Sequence, residues 1–399
     1  MCKFARLNDH ILVLGLGLLL LCGCSATTSI KTSAPTQLLS NSAFQSVPRP
    51  VETAEQIFYL PPEVIYQVRQ IVLRHPSPYE QQLALLRFIF HDERRDILEY
   101  VNDATLTASE TLDQRVANCL SLTILAASLA ETVGFQVDFQ DVVVPEYWVS
   151  RSGNSLLSGH INIKLIPRMQ SFNNQTRLYQ ANSYLIDFDR APEENVQRAK
   201  SVSRQVVLSM FYNNKAVDAM LAQDHDLAFK YLQAALAQAP DQAEIWNNLA
   251  VLYRKKELWA EAEQLYQYSL QLEPENNNTL SNLALLYQKT NRAELAAALI
   301  ERVLRRRQLN PYYFVMRGNE ALEVGLERKA LAEFSQALKL NPTTAEAQFG
   351  MAKSYLALGN FAKAAQFLRA AGHHTADKSL QRRYQNKLDM LNAMAAQSE

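Results

Sequence analysis

Hydrophobic and polar positions change period several times along this chain, and each change predicts a different structure. Residues 11–21 form an unbroken run of apolar residues and glycine, too short for a membrane-crossing helix, which needs roughly 20 residues. No period survives over residues 25–50, which hold ten Ser/Thr, three Pro and no acidic residue. That composition predicts a flexible tether over 24–50. After Pro61-Pro62, apolar Val64, Ile65, Val68, Ile71 and Val72 recur on one helical face, and a second helix follows Ser77-Pro78. A largely apolar stretch then opens with Asn118-Cys119 and closes at Gly134. A capping residue and a glycine stop thus bracket a buried helix. Beyond Gly134 the period falls to two, predicting strands at 137–139, 142–144, 160–165 and 184–189, with residues 145–159 as a long loop.

From Ser209 onward the pattern repeats every 34 residues, in frames starting at Ser209, Ala243, Asn277, Pro311 and Ala345. The eighth position reads Ala216, Ala250, Ala284, Gly318 and Ala352; the twentieth reads Ala228, Ala262, Ala296, Ala330 and Ala364. Small residues there let two helices of a hairpin approach closely. Pro240, Pro274 and Pro342 stop second helices, and Gly325 and Gly359 mark turns inside repeats. This register resembles the tetratricopeptide repeat. The resemblance implies an all-α solenoid over 206–399, five repeats plus a capping helix, that binds a protein or peptide in its groove. Ala219 and Ala321 stand where other repeats carry an aromatic, and Gln308 and Ala376 stand where others carry proline. Arg305-Arg306-Arg307 reads as a solvated helix face.

The chemistry falls in the other half. A thiol in the first turn of a helix sits at the positive end of the helix dipole, which favours thiolate. Alternation puts His160, Asn162 and Lys164 on one strand face, where His160 can meet Cys119. Asp187 on the following strand can orient the imidazole, and Asp189 shares its face. Trp148, in the expected loop, is a candidate substrate-covering residue. The series Asn118-Cys119, His160, Asp187-Phe188 resembles the bacterial transglutaminase-like superfamily. That resemblance implies an α+β papain/transglutaminase-like domain over 51–205, with Cys119 as nucleophile, His160 as general base and acid, and Asp187 as orienter. Leu120 stands where many members carry an aromatic or acidic residue. No acidic calcium loop is visible, so calcium-dependent cross-linking is not expected.

Charge and cysteine usage place the chain. The 40 basic and 40 acidic side chains of its 399 residues cancel, which argues against a nucleic-acid partner. Three of four cysteines, Cys2, Cys22 and Cys24, crowd the N-terminus, so no disulfide framework is implied. Lys3 and Arg6 ahead of the apolar run fit an export signal. Leu21-Cys22-Gly23-Cys24-Ser25 resembles a lipoprotein lipobox, which implies removal of 1–23, lipidation of Cys24 and a membrane anchor through that lipid. Ser25 in place of aspartate leans toward the outer membrane, facing the periplasm. His373-His374 has no third ligand spaced near it, and phosphate-cradling and dinucleotide motifs are missing, so neither metal nor cofactor is expected. The leading expectation is a lipid-anchored envelope thiol enzyme, a peptidase, amidase or acyltransferase. It would act through a Cys119 acyl-enzyme on partners that the array recruits. The alternative is a non-catalytic envelope scaffold working through its repeats.

Overall fold

Proline and capping residues start the helices of the N-terminal half. In the computed structural model, which describes residues 33–40, 42–45, 48–90, 98–151, 153–167, 183–188, 199–375 and 378–397, Thr53 and Gln56 form a capping box at α1 (Ala54–Ile57). Pro62 opens α2 (Pro62–Val72), which buries Val64, Val68 and Val72 at four-residue spacing. Next come α3 (Pro78–Phe90), the strand β1 (Glu99–Tyr100), α4 (Ala108–Gln114) and β2 (Val116–Ala117), which pairs parallel to β1. Helix α5 (Cys119–Thr132) carries no charged residue from Cys119 to Ala130, in keeping with its burial on all sides: Leu120 to Ala130 are all shielded from water. It ends at Gly134, whose φ of 94° suits glycine. The apolar run 11–21, Cys24 and residues 24–32 of the expected tether lie outside the described residues.

Four antiparallel strands follow, in the order β5-β4-β3-β6: β3 (Phe135–Arg151), β4 (Asn154–Pro167), β5 (Tyr184–Ile186) and β6 (Ala199–Val202). The expected loop over 145–159 is instead the outer half of a long hairpin. Pairing shifts register between Val142 and Tyr147, where Pro145 cannot donate to the ladder. It then resumes, with Tyr147 opposite Ser158, Trp148 opposite Leu157 and Arg151 opposite Asn154. The strand expected at 184–189 stops at Ile186.

The array is ten helices in five pairs: α6 (Arg204–Leu221) with α7 (His225–Gln238), α8 (Ala243–Lys255) with α9 (Trp259–Leu272), α10 (Asn277–Lys289) with α11 (Ala293–Arg307), α12 (Pro311–Glu323) with α13 (Glu327–Leu340), and α14 (Ala345–Ala357) with α15 (Phe361–His374). A final helix, α16 (Lys378–Gln397), closes the end. All ten small residues at positions eight and twenty are buried. The turn inside every repeat uses a left-handed residue at position fifteen: Gln223, Glu257, Asn291, Gly325 and Gly359, with φ of 58–74°. Only two of these five are the glycines that such a turn favours.

The two halves share one core. From Ala34 onward the chain forms a single compact unit, and one hydrophobic cluster runs from Leu38 through α5 and the sheet to Ala296. Between β6 and α6 stands only Ser203, which caps α6 by accepting from the Val206 N–H. Over the described residues 34–40, 42–45 and 48–50 the chain is packed, not a free tether. Phe44 stacks on Phe229 at 4.1 Å. Gln233 and Tyr253 donate to the Leu39 and Leu38 carbonyls at 2.6 Å, and Arg49 pairs with Asp224. Leu38 and Phe44 supply apolar area that the surrounding Ser and Thr lack, and this stretch packs along the first two repeats.

Candidate functional site

Asn118 starts the site. Its Oδ1 accepts from the Ser121 N–H at 2.9 Å, capping α5 so that Cys119 occupies the first helical position. Its Nδ2 donates to Thr105 Oγ1 at 2.8 Å, and Ser121 Oγ ties the same loop by donating to the Ala104 carbonyl. Thr105 Oγ1 also accepts from Asn214 Nδ2 on α6, at 3.3 Å. The cap of the Cys119 helix is therefore linked to the array through one hydroxyl. Cys119 itself is half-buried and carries a free thiol.

His160 and Asp187 converge as the alternation suggested. The His160 side chain is fully buried, with Nε2 at 2.8 Å from Asp187 Oδ1. Asn162, two residues along β4, donates from Nδ2 to Asp187 Oδ2 at 3.3 Å. The Cys119 thiol also acts on the ring. Burial disfavours a charge on the ring, but the hydrogen bonding and charge of Asp187 and Cys119 outweigh it and push His160 up to about 10. Burial likewise raises the Asp141 carboxyl on β3, against the pull of Lys200. The cluster brings together the groups that thiol chemistry draws on: a thiol at a helix start, a buried imidazole and a carboxylate beside it.

Of the residues expected from sequence, Cys119, His160 and Asp187 come together. Asp189 and Cys24 lie outside the described residues. Trp148 is not part of the cluster. Its ring faces the array instead, 6.3 Å from Tyr313 and under the Arg307 guanidinium at 4.9 Å. Arg307 departs from the solvated-face reading. Although Arg305 is exposed, Arg307 is buried and pairs with Glu146 at 2.8 Å. Asn162 was legible in principle, since it shares the strand face of His160. Thr105 and Asn214 carry no local signal, being joined across 109 positions. Among the described residues no group of three His, Cys, Asp or Glu side chains stands close enough to hold a metal ion.

Two family models described as tetratricopeptide repeat match the chain, over residues 213–277 and 321–388. Both lie within the array, so the C-terminal half is a helical tetratricopeptide-type solenoid. The chain is similar to the solved structure of YrrB, described as a TPR protein with an unusual peptide-binding site. Identity is 20%, covering 45% of this chain and 92% of that one, with a TM-score of 0.25. It is similar also to MamA, at 15% identity, 42% and 91% coverage and a TM-score of 0.24. For the Pseudomonas aeruginosa protein PilF the values are 17%, 49% and 90%, with a TM-score of 0.27. No curated protein matches the chain.

Proposed function

We propose that this chain is a protein-binding repeat scaffold whose N-terminal domain works as a transglutaminase-like thiol site on an amide of the bound partner. The repeat matches support the binding half. The observation that carries the thiol half is His160, buried between Cys119 and Asp187. In the first step Cys119 Sγ bonds to the amide carbonyl carbon and the C–N bond breaks. His160, held protonated, gives its proton to the departing amine, leaving a thioester. In the second step water or an acceptor amine attacks that thioester. His160 takes the proton of the attacking group, and the sulfur leaves with the electron pair of the C–S bond. Asp187, steadied by Asn162, keeps the imidazole aligned throughout. Lipidation at Cys24 would hold the assembly at the outer membrane, facing the periplasm. Cys24→Ala should release it from the membrane fraction or leave an unprocessed precursor.

A second reading is a scaffold without catalysis. It is favoured by the confinement of both family-model matches to the array, and in it His160–Asp187 is a buried structural ion pair. Carboxymethylation by iodoacetamide at pH 6, read at Cys119 by mass spectrometry, separates the two. Under the thiol reading Cys119 reacts faster than an unstructured cysteine, and His160→Ala slows it at least tenfold. A rate equal to that of a free thiol, unchanged in His160→Ala, would establish the scaffold reading.

A further inference from the structure

The β3–β4 hairpin meets the array through contacts that resemble a ligand on a receptor. Arg307 Nε donates to Glu146 Oε2 at 2.8 Å, and Asn310 Nδ2 donates to the Glu146 carbonyl at 2.6 Å. Tyr147 meets Tyr312 edge-on at 6.4 Å. Trp148 lies between Tyr313 and the Arg307 guanidinium. Further along, Ser150 donates to Glu323 and Ser155 donates to Glu320, while Arg151 pairs with Asp218 in the first repeat. Arg307 is the centre of this surface. It holds a carboxylate with one edge and covers a ring with its face, a use that a lysine could not reproduce. Its burial shields both interactions from solvent.

We propose that Arg307 and the first helix of the fourth repeat form a recognition site for an extended segment carrying an acidic residue followed by two aromatic residues. Glu146-Tyr147-Trp148 is its built-in occupant, and a protein partner presenting the same chemistry binds by displacing the hairpin. The proposal rests on the array being the protein-binding half and is independent of the thiol chemistry. A segment tethered in cis competes at an effective concentration on the order of millimolar. The free chain therefore masks the site, and a partner meets an affinity lowered by the small open fraction. Strand β4 runs unbroken from Ser155 to His160, so release of the hairpin acts on the strand that carries the histidine.

The test uses the full chain and a fluorescent synthetic peptide of residues 144–155, titrated by anisotropy. Trp148→Ala, which empties the slot, should bind the peptide at least tenfold more tightly than the wild-type chain. Adding Arg307→Ala should remove that gain, and a peptide with alanine at the Glu146 and Trp148 positions should not bind. Glu146→Gln is a milder second way to loosen the hairpin, and should raise peptide affinity in the same direction. Circular dichroism melts establish that each variant is folded. Equal affinity in wild-type, Trp148→Ala and Glu146→Gln chains, or binding that ignores Arg307, would overturn the proposal. So would no binding in any chain, because the hairpin contact would then be structural only. Protein binding elsewhere on the array is read separately, by cross-linking through the first three repeats, so its failure is distinguishable from this one.

Discussion

Gly350 lies in the middle of α14, a position where alanine is ordinarily favoured by about 1 kcal/mol. Here Gly350→Ala should do the reverse. A Cβ on Gly318 would stand 2.5 Å from Phe334 Cε1, and one on Gly350 would stand closer still to the same ring edge. Carbon atoms in contact prefer about 3.5–4.0 Å, so the ring or the helix must shift by roughly 1 Å. Phe334 is fully buried and gripped between the two glycines, so the ring cannot retreat from one without meeting the other. Overpacking of this kind costs about 1–3 kcal/mol. With no free side for the ring, the cost lies in the upper part of that range, about 2–3 kcal/mol, and the propensity gain lowers it to a net destabilisation of about 1–2 kcal/mol. Phe334→Leu removes the ring edge, and in that background Gly350→Ala should become neutral or stabilising. The four chains form a double-mutant cycle with a coupling of about 2 kcal/mol, measurable by amide hydrogen exchange in α13 and α14. A Gly350→Ala chain as stable as wild type, or an equal cost in both backgrounds, would refute the reasoning.

Other outcomes follow from the site and the turns. His160 is pushed up to about 10 when folded, above its ordinary 6.5. Its ion pair therefore contributes stability that is complete below about pH 6.5 and is lost as pH rises through about 10. The stability difference between wild type and His160→Asn should be flat below pH 6 and shrink toward pH 10; a difference independent of pH would contradict the assignment. Asn118→Ala removes the cap of the Cys119 helix and should cost about 1–2 kcal/mol in denaturant unfolding, with slower alkylation of Cys119. Glu257→Gly relieves a left-handed non-glycine turn and should stabilise the chain by up to about 1 kcal/mol, seen as a higher Tm; a lower Tm would refute it. Phe44→Ala should expose residues 34–50 to limited proteolysis while leaving the array helical by circular dichroism.

What was legible in the sequence was whatever is written in local period. The array register, the Asn118 cap, the Gly134 stop and the alternation that groups His160 with Asn162 all follow from spacing within a few residues. Prolines also marked helix ends well: α7, α9 and α13 each stop two residues before Pro240, Pro274 and Pro342. Features fixed by distant partners were not legible. The Ser- and Thr-rich stretch before Pro50 looks solvated until Phe229 and Tyr253 meet Phe44. Residues 145–159 look like a loop because Pro145 interrupts the alternation, although pairing resumes beyond it. Arg307 looks like its exposed neighbours in the run, and distant partners, Glu146 161 positions away and Trp148 beside it, make it a buried one.

The packing of Leu38, Leu39 and Phe44 also constrains how the chain can reach its native state. Hydrogen bonds join Leu39 to Gln233 across 194 positions and Leu38 to Tyr253 across 215. A ribosome adding about 5–20 residues each second needs roughly 10–40 s to travel from one end of the longer link to the other. The segment made early thus waits through the longest of these separations, and its leucines and phenylalanine stay uncovered while the first two repeats are synthesised. Contacts this far apart in sequence slow folding, since the chain must close a long loop before it gains their energy. Assembly must run backwards through the chain: the repeats form first from local contacts, and the N-terminal stretch then closes over them.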